Sequence, residues 1–387
     1  METRKLYYEN SHIKTFCARV VSCREAGGGW EIILDATAFY PEGGGQACDL
    51  GVLGGRRVLD VQERFDAVVH LCDGPLGEGE TVEGAIDWTR RFDLMQQHSG
   101  EHMVSGIIHS LYGYQNMGFH IGSDLVTVDV AGPVPTEALQ RIEDLTNAAI
   151  WENRPVKAWY PAAEELPGIP YRSKKALEGP VRIVEFPGTD ICACCGTHVQ
   201  YTGEVGLVKI LSCVKFRQGV RMEMVSGARA FTHLREAYEQ NRQVSQAFSA
   251  KILETGEAAR RMNEALSAEK FRATGLQWQL FGHVAEGFRD KGNVLYFAQG
   301  LTPVEVRELA DRIAKISGGI AAVFSGEQES YQMCLVCHGG DVKPLGSAMN
   351  QALQGRGGGK PGFFQGSVAA TKEQILEFFR GCGQDFL

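Results

Sequence analysis

The sequence lacks any uninterrupted apolar run of about 18 residues, the length that spans a bilayer as a helix. It also lacks a basic N-terminal stretch followed by an apolar segment, the pattern of a secretion signal. It has no excess of positive charge, because 47 acidic residues outnumber 39 basic ones and the net charge is −8. We therefore expect a soluble cytoplasmic protein with no membrane partner, in which any contact with nucleic acid comes from local basic patches.

Cysteine, by contrast, is abundant, with 11 in 387 residues. Without a secretion signal these cysteines are expected to be reduced thiols or metal ligands rather than disulfides. Hydrophobic residues make up 44 % of the chain, which is enough for several domains that each bury a core.

The chain divides by pattern into four regions. Short apolar stretches separated by glycine clusters predict a small barrel-like β domain over residues 1–88. Alternating helix and strand patterns follow over 89–227, and the Glu-, Arg- and Ala-rich segment 228–275 predicts a helical spacer. Strands and helices alternate again over 276–387, which predicts a small α/β domain. The fold class expected is therefore a multidomain mixture of α+β and α/β.

Two histidines, His98 and His102, lie four residues apart within a predicted helix that ends at Gly113. Side chains at i and i+4 share one face of a helix, so both imidazoles can reach one ion. On a helical wheel they lie opposite the apolar stripe that runs from Val104 to Leu111. Two solvated histidines are the simpler alternative for this pair taken alone.

A second group of metal-binding residue types follows in the segment 192–198, which reads Cys-Ala-Cys-Cys-Gly-Thr-His. Cys194 and His198 are the natural pair, and together with His98 and His102 they form a set of nitrogen and sulfur donors that zinc prefers. A buried, inert cysteine cluster is the alternative. His109 lies about 10 Å farther along the predicted helix than His102 and is expected to have a structural role.

These motifs resemble a known family. His98-x-x-x-His102 followed by Cys194-x-x-x-His198 resembles the editing domain of alanyl-tRNA synthetase and its free-standing relatives, the AlaX proteins. The segment 37–46, which ends in Gly-Gly-Gly-Gln, resembles the glycine-rich motif that precedes that domain, and 357–366 resembles the DHHA1 domain of the long AlaX form. The sequence departs from the family pattern at Cys195, where a glycine is usual, and Cys192 adds another thiol that could compete for the ion.

The resemblance implies a zinc-dependent trans-editing hydrolase that deacylates mischarged tRNA(Ala). Serine is the first candidate for the amino acid that it removes and glycine the second. It further implies one Zn²⁺ per chain, held by His98, His102, Cys194 and His198. A homodimer through the C-terminal region is one possible assembly, which the helical spacer would permit. The alternative is a non-catalytic, zinc-stabilised module that binds tRNA, in which four protein ligands close the metal site.

Several further residues are candidates for contacts with the substrate. Gln46 and Thr37 are candidate polar groups of the catalytic pocket, with turn and strand structure as the alternative. Two groups are candidates for binding RNA, one basic and one glycine-rich: Lys209, Lys215, Arg217 and Arg221, and Gly358, Gly359 and Lys360. A solvated strand face is the alternative for the basic group.

Overall fold

The computed structural model describes residues 2–173, 179–383 and 385–387. The chain divides into two compact units, Met1–Val244 and Ser245–Leu387. Both units mix helices with sheets, so the mixed α/β class expected from the sequence is confirmed.

The first unit begins with a β domain. Its elements are β1 (Arg4–Lys5), α1 (Leu6–Glu9), β2 (Thr15–Ala26), β3 (Gly29–Leu34), β4 (Ala36–Thr37), β5 (Gly51–Leu53), β6 (Arg56–Arg64), β7 (Ala67–Cys72) and β8 (Thr81–Ile86). Six of these strands close into a barrel in the order β2-β3-β7-β6-β5-β8, and β1 pairs with β4 in parallel beside it. The barrel follows from period-two alternation: Phe16, Ala18 and Val20 of β2 all point into its core.

The rest of the first unit surrounds one long helix. Its elements are α2 (Trp88–Tyr112), β9 (Asn116–Ile121), β10 (Val126–Val130), α3 (Leu139–Trp151), β11 (Lys157–Trp159), β12 (Ile183–Phe186), β13 (Asp190–Ala193), β14 (Val208–Phe216) and β15 (Gly219–Ser226). They form a four-stranded sheet, β14-β15-β10-β9, and a three-stranded sheet, β11-β12-β13.

Helix α2 is buried on every side, which the helical wheel did not predict. Every residue from Leu94 to Ile108 is buried, so the face of His98 and His102 is covered as fully as the apolar stripe. Two glycines allow this packing, since a Cβ on Gly100 would lie 2.1 Å from Ser226 Oγ and one on Gly106 would lie 2.3 Å from a backbone oxygen. The helix ends at Gly113, whose φ of 72° favours glycine.

The chain continues through α4 (Gly227–Phe248), which crosses the boundary between the units, and then α5 (Thr255–Glu286). The helical character predicted for 228–275 is thus divided between two helices, and the second extends to Glu286. The second unit also contains β16 (Gly292–Ala298), α6 (Pro303–Ser317), β17 (Gly318–Glu327), β18 (Ser330–Val336), α7 (Lys343–Ala352), β19 (Arg356–Lys360), β20 (Phe363–Val368) and α8 (Lys372–Gly381). Its five strands form one sheet in the order β16-β17-β18-β20-β19. Among the described residues, no helix is both long and apolar enough to cross a membrane.

A fully buried ion pair joins the barrel to α2. The Arg91 guanidinium donates through Nε to both carboxylate oxygens of Asp49, at 2.8 and 3.0 Å, and both side chains are completely inaccessible to solvent. It also donates to the backbone oxygens of Ser11 at 2.9 Å and Ala38 at 2.6 Å. The guanidinium therefore links the start of α2 to three separate segments of the N-terminal domain.

We expect Asp49→Ala to lower the free energy of unfolding by about 3–5 kcal/mol, because it leaves the guanidinium buried without its counter-charge. Urea denaturation followed by circular dichroism measures the change. Asp73→Ala is the matched control: its partner Arg57 is 76 % exposed, so the stability should hardly change. Equal losses in the two variants would show that the buried pair has no special role.

Candidate metal centre

Four metal-binding side chains from two distant segments meet beside α2. His98 and His102 lie on the helix, and Cys194 and His198 lie on the loop that follows β13. Each of the four offers a ligand atom, and these atoms all lie within 4.8 Å of one another. The structure thus brings together all four residues that the sequence nominated as a metal site.

The loop reaches the helix because Gly196 has no side chain. A Cβ at this position would lie 2.1 Å from Cε1 of His98, far inside van der Waals contact. The 194–198 loop therefore packs its backbone directly on the imidazole. This close approach places the Cys194 sulfur 3.5 Å from Nε2 of His98 and 3.4 Å from Nε2 of His198.

The outer ring nitrogens of the three histidines all face protein partners. Nδ1 of His98 donates to Gln46 Oε1 at 3.0 Å, and Nδ1 of His102 donates to Asp190 Oδ2 at 3.1 Å. Nδ1 of His198 lies 3.3 Å from the hydroxyl of Ser99. Partners on Nδ1 leave Nε2 as the ligand atom, as is usual for metal-binding histidines.

Asp190 is itself fixed in place. Arg172 donates to both of its carboxylate oxygens, through Nε at 2.7 Å and Nη2 at 2.8 Å. Although burial raises the pKa of Asp190, the hydrogen bonds from His102 and Arg172 outweigh this and hold the pKa below its usual value. Asp190 is therefore a carboxylate that orients His102 and stabilises it as a hydrogen-bond donor.

Electrostatics favour the metal-binding forms of Cys194 and His198. Burial raises the pKa of the Cys194 thiol, but the nearby His98, His102 and His198 outweigh burial and hold the pKa well below its usual value. Burial is also the main reason why the pKa of His198 falls to about 3, with His98 adding to the effect. A thiolate and a neutral imidazole are the forms in which these residues bind metals.

The two additional thiols occupy different places. Cys192 is buried with its sulfur 2.8 Å from Nδ1 of His102, and it forms a second group of donor atoms with His102 and Asp190. Cys195 is exposed, and its side chain interacts with Tyr8. Neither thiol belongs to the group of four donors. His102 is common to both groups, and the Cys192 sulfur lies nearer to its Nδ1 than to its Nε2.

The two predicted pocket residues are separated by the fold. Gln46 reaches the cluster, where its amide accepts from His98 and donates to Thr197 Oγ1 at 2.7 Å. Thr37 is fully buried at the barrel, and its hydroxyl lies 2.8 Å from Nε2 of His70. Its neighbours are thus those of the barrel core.

The predicted RNA-binding residues lie on two strand pairs in different units. Those of the first unit are on the β14–β15 hairpin, where Lys209 pairs with Glu143 at 2.8 Å and Arg221 pairs with Asp129 at 2.7 Å. Lys215 and Arg217 are exposed on the same hairpin. In the second unit Gly358, Gly359 and Lys360 are all exposed on β19, the edge strand of its sheet.

A cavity of about 340 Å³ opens beside two of the four donors, His102 and Cys194. Its walls include His102 and Cys194 of the cluster, the ring of Phe119, and two buried polar residues, Glu101 and Asn116. A small molecule in this cavity would contact the metal-binding side chains directly. Sequence patterns gave no indication of Glu101, Asn116, Asp190 or Arg172, because only the fold brings these residues to the cavity or to His102.

The fold and the donor cluster together define a candidate metal-binding module, and comparisons identify its family. Residues 181–223 match the family described as threonyl and alanyl tRNA synthetase second additional domain, and residues 2–90 match class II (A) tRNA synthetases. The alanyl-tRNA editing protein Aarsd1-A of Xenopus laevis is 31 % identical over 349 residues, which cover 88 % of this chain and 85 % of that protein. Aarsd1 of Mus musculus is 27 % identical over 95 % of this chain and 94 % of its own length.

The chain therefore belongs to the family of alanyl-tRNA editing proteins, as its resemblance to AlaX proteins predicted. The alanine–tRNA ligase of Ignicoccus hospitalis is 37 % identical over 240 residues, but this match covers only 26 % of the ligase. The C-Ala domain of Aquifex aeolicus alanyl-tRNA synthetase aligns with 23 % of the chain and 87 % of that structure at 19 % identity, and its TM-score of 0.20 is too low to define a shared fold.

We expect Gly196→Ala to separate the 194–198 loop from α2, because the new methyl group cannot fit against His98. The variant should bind less metal and melt at a lower temperature than the unsubstituted protein. Metal analysis after dialysis and thermal denaturation measure the two effects. Gly118→Ala is the control, since no atom lies within 4 Å of its added Cβ; a similar loss of metal there would contradict the steric argument.

Proposed function

We propose that this protein is a zinc-dependent trans-editing hydrolase that removes the amino acid from mischarged tRNA(Ala). The observation that carries the proposal is the convergence of His98, His102, Cys194 and His198 beside a cavity, in a chain of the alanyl-tRNA editing family. The proposed division of the chain keeps 89–227 as the editing domain, between the β domain of 1–88 and the spacer of 228–275. A DHHA1-like domain over 276–387 completes the proposed layout, and the cytoplasm is the proposed location.

The donor set fits zinc. Three imidazole nitrogens and one thiolate sulfur are ligands that zinc accepts in tetrahedral sites, and the partners on Nδ1 point Nε2 of each histidine inward. His98, His102, Cys194 and His198 would hold the ion, one per chain. A zinc ion with an exchangeable position there would supply Lewis-acid chemistry towards an ester carbonyl or a water molecule.

The residues around the cluster orient and shield the reacting ester. Gln46 and Asp190 fix the rings of His98 and His102, and Phe119 lines the cavity. Hydrolysis transfers the oxygen of a water molecule to the carbonyl carbon and breaks the bond to the ribose oxygen, which leaves with a proton. A bound ester therefore needs a fixed position, and the buried part of the cavity wall, with Glu101, His102 and Asn116, offers contacts for it.

Seryl and glycyl esters are the proposed substrates. A synthetic site for alanine discriminates poorly against them, because one small group changes binding by only about 1–3 kcal/mol. A second site with buried polar groups can favour serine over alanine, since the alanine methyl leaves such a group without a partner. Seryl-tRNA(Ala) is accordingly the first substrate to test and glycyl-tRNA(Ala) the second.

The alternative is a tRNA-binding module that a zinc ion stabilises without catalysis. Four protein ligands, which close a tetrahedral site, favour it. The cavity beside Cys194 favours the hydrolase, because a purely structural site needs no space next to its ligands. A homodimer formed through the C-terminal region is compatible with both functions.

Deacylation of seryl-, glycyl- and alanyl-tRNA(Ala) by the purified protein tests the proposal. We expect hydrolysis of the first two, with about one zinc bound per chain. His102→Ala and Cys194→Ala should lose both zinc and activity, whereas His109→Ala should keep both, because its Nδ1 faces the backbone oxygen of Tyr114 rather than the cluster. A fully active preparation without metal would refute the zinc mechanism, and a zinc-loaded but inactive protein would support the binding module.

The proposed RNA contacts predict a dependence on salt. Replacing both Lys215 and Arg217 by alanine should reduce the slope of log affinity against log salt by roughly one to two, since each lost phosphate contact removes about one unit. Filter binding of tRNA at several salt concentrations measures the slope. Lys251→Ala, in which the lost side chain is 84 % exposed and pairs with Glu254, is the control. An unchanged slope in the double variant would exclude the hairpin from the RNA interface.

A further inference from the structure

We propose that Glu101 binds the α-ammonium group of the aminoacyl ester and so restricts hydrolysis to esters with a free amine. The inference rests on the proposed function and deepens it by assigning one part of the substrate to one side chain. It starts from a buried carboxylate in the wall of the cavity that has no cationic partner among the described residues.

Glu101 lies on α2 immediately before His102, and only 1 % of its surface is exposed. A buried carboxylate is costly unless hydrogen bonds or a cation compensate for its lost hydration. Among the described residues, hydrogen-bond donors reach only one of the two carboxylate oxygens of Glu101. Ser105 Oγ donates to Oε1 at 2.6 Å, and the side-chain amide of Asn116 donates to the same oxygen.

The second carboxylate oxygen, Oε2, has no donor among the residues that the structure describes. No lysine, arginine or histidine in that part of the chain forms an ion pair with Glu101 either. The nearest candidate, Arg172, contributes an electrostatic interaction, but its Nε and Nη2 both donate to Asp190. Ser105 and Asn116 thus fix one oxygen of a negatively charged group and leave the other to an occupant of the cavity.

The cavity connects Glu101 to two of the candidate metal ligands. Glu101, His102 and Cys194 all line the same space of about 340 Å³, which lies within the usual size of small-molecule sites. An aminoacyl ester has its ammonium on the carbon next to the carbonyl that is attacked. A carboxylate that lines the same cavity as His102 and Cys194 is therefore placed to pair with the ammonium while the ester carbonyl faces the donor cluster.

This pairing has a consequence for selectivity. Serine, glycine and alanine esters all carry the ammonium, so Glu101 cannot distinguish among them. Peptidyl and other N-acylated esters lack the positive charge and would leave the carboxylate buried without compensation. Glu101 would thus exclude N-blocked tRNA from hydrolysis.

The test compares two esters in the full-length, zinc-loaded protein: seryl-tRNA(Ala) and its deaminated analogue, in which a hydroxyl replaces the ammonium. Each rate is divided by the spontaneous hydrolysis of the same ester, because the ammonium also changes intrinsic reactivity. We expect the unsubstituted protein to favour the seryl ester by roughly 10- to 100-fold in kcat/KM, the range for a hydrogen bond to a charged group. Glu101→Gln should lose most of this preference by slowing hydrolysis of the seryl ester alone.

A matched control is Glu185→Gln, which removes a carboxylate from β12 of the neighbouring sheet, where Glu185 lies 3.7 Å from Lys157 and outside the cavity. It should keep the preference for the seryl ester.

Equal losses on both esters in Glu101→Gln, with zinc retained, would overturn the ammonium contact. If Glu101→Gln loses zinc or fails to fold, the inference is tested by the rates of the unsubstituted protein. Equal corrected rates on the two esters would then overturn it. Failure of the proposed function is distinct, since the unsubstituted protein would then hydrolyse neither ester.

Discussion

The first unit is organised around the contact between α2 and the 194–198 loop, which are about one hundred residues apart in the chain. Three buried imidazoles and the half-buried Cys194 meet there, and buried polar groups are stable only when their hydrogen-bonding atoms have partners. Each ring therefore needs a partner on its outer nitrogen. Gln46, Asp190 and Ser99 fill these places, and they come from the barrel domain, from β13 and from α2 itself.

The barrel domain thereby becomes part of the candidate site. Gln46 follows the glycine turn of 43–45, and a Cβ on Gly45 would lie 3.1 Å from the Phe119 ring, so this turn packs closely on the cavity wall. The Arg91–Asp49 pair holds the same region against the start of α2. A rigid connection of this kind positions the Gln46 amide to within hydrogen-bond distance of both His98 and Thr197. The N-terminal domain therefore contributes to the metal centre although it supplies none of the four donors.

Sequence patterns predicted the four donors because local spacing encodes them. His98 and His102 share a helix face, and Cys194 and His198 share one short loop, so each pair is visible without the fold. The meeting of the two pairs was predicted from the donors that zinc prefers and from the family resemblance, and the fold brings all four residues together. The burial of α2 on all sides was not predicted, because the face that carries His98 and His102 is polar in sequence. Thr37 was predicted to line the pocket, but its neighbours are those of the barrel core. Glu101 and Asn116 show no signal of their own, since their role depends on a cavity that forms between elements far apart in the chain.

The charge distribution of this acidic protein determines how strongly it attracts the phosphates of an RNA. The net charge of −8 disfavours general attraction to phosphates, and two of the four basic residues of the β14–β15 hairpin are already paired with carboxylates. Affinity from phosphate contacts is therefore limited, and contacts with the acyl end add a further means of recognition. A buried carboxylate that pairs only with a free ammonium supplies such recognition at the reacting group. Its energy contributes whenever an ester with a free ammonium occupies the cavity, so weak binding of tRNA as a whole is compatible with a preference for aminoacyl over N-blocked esters.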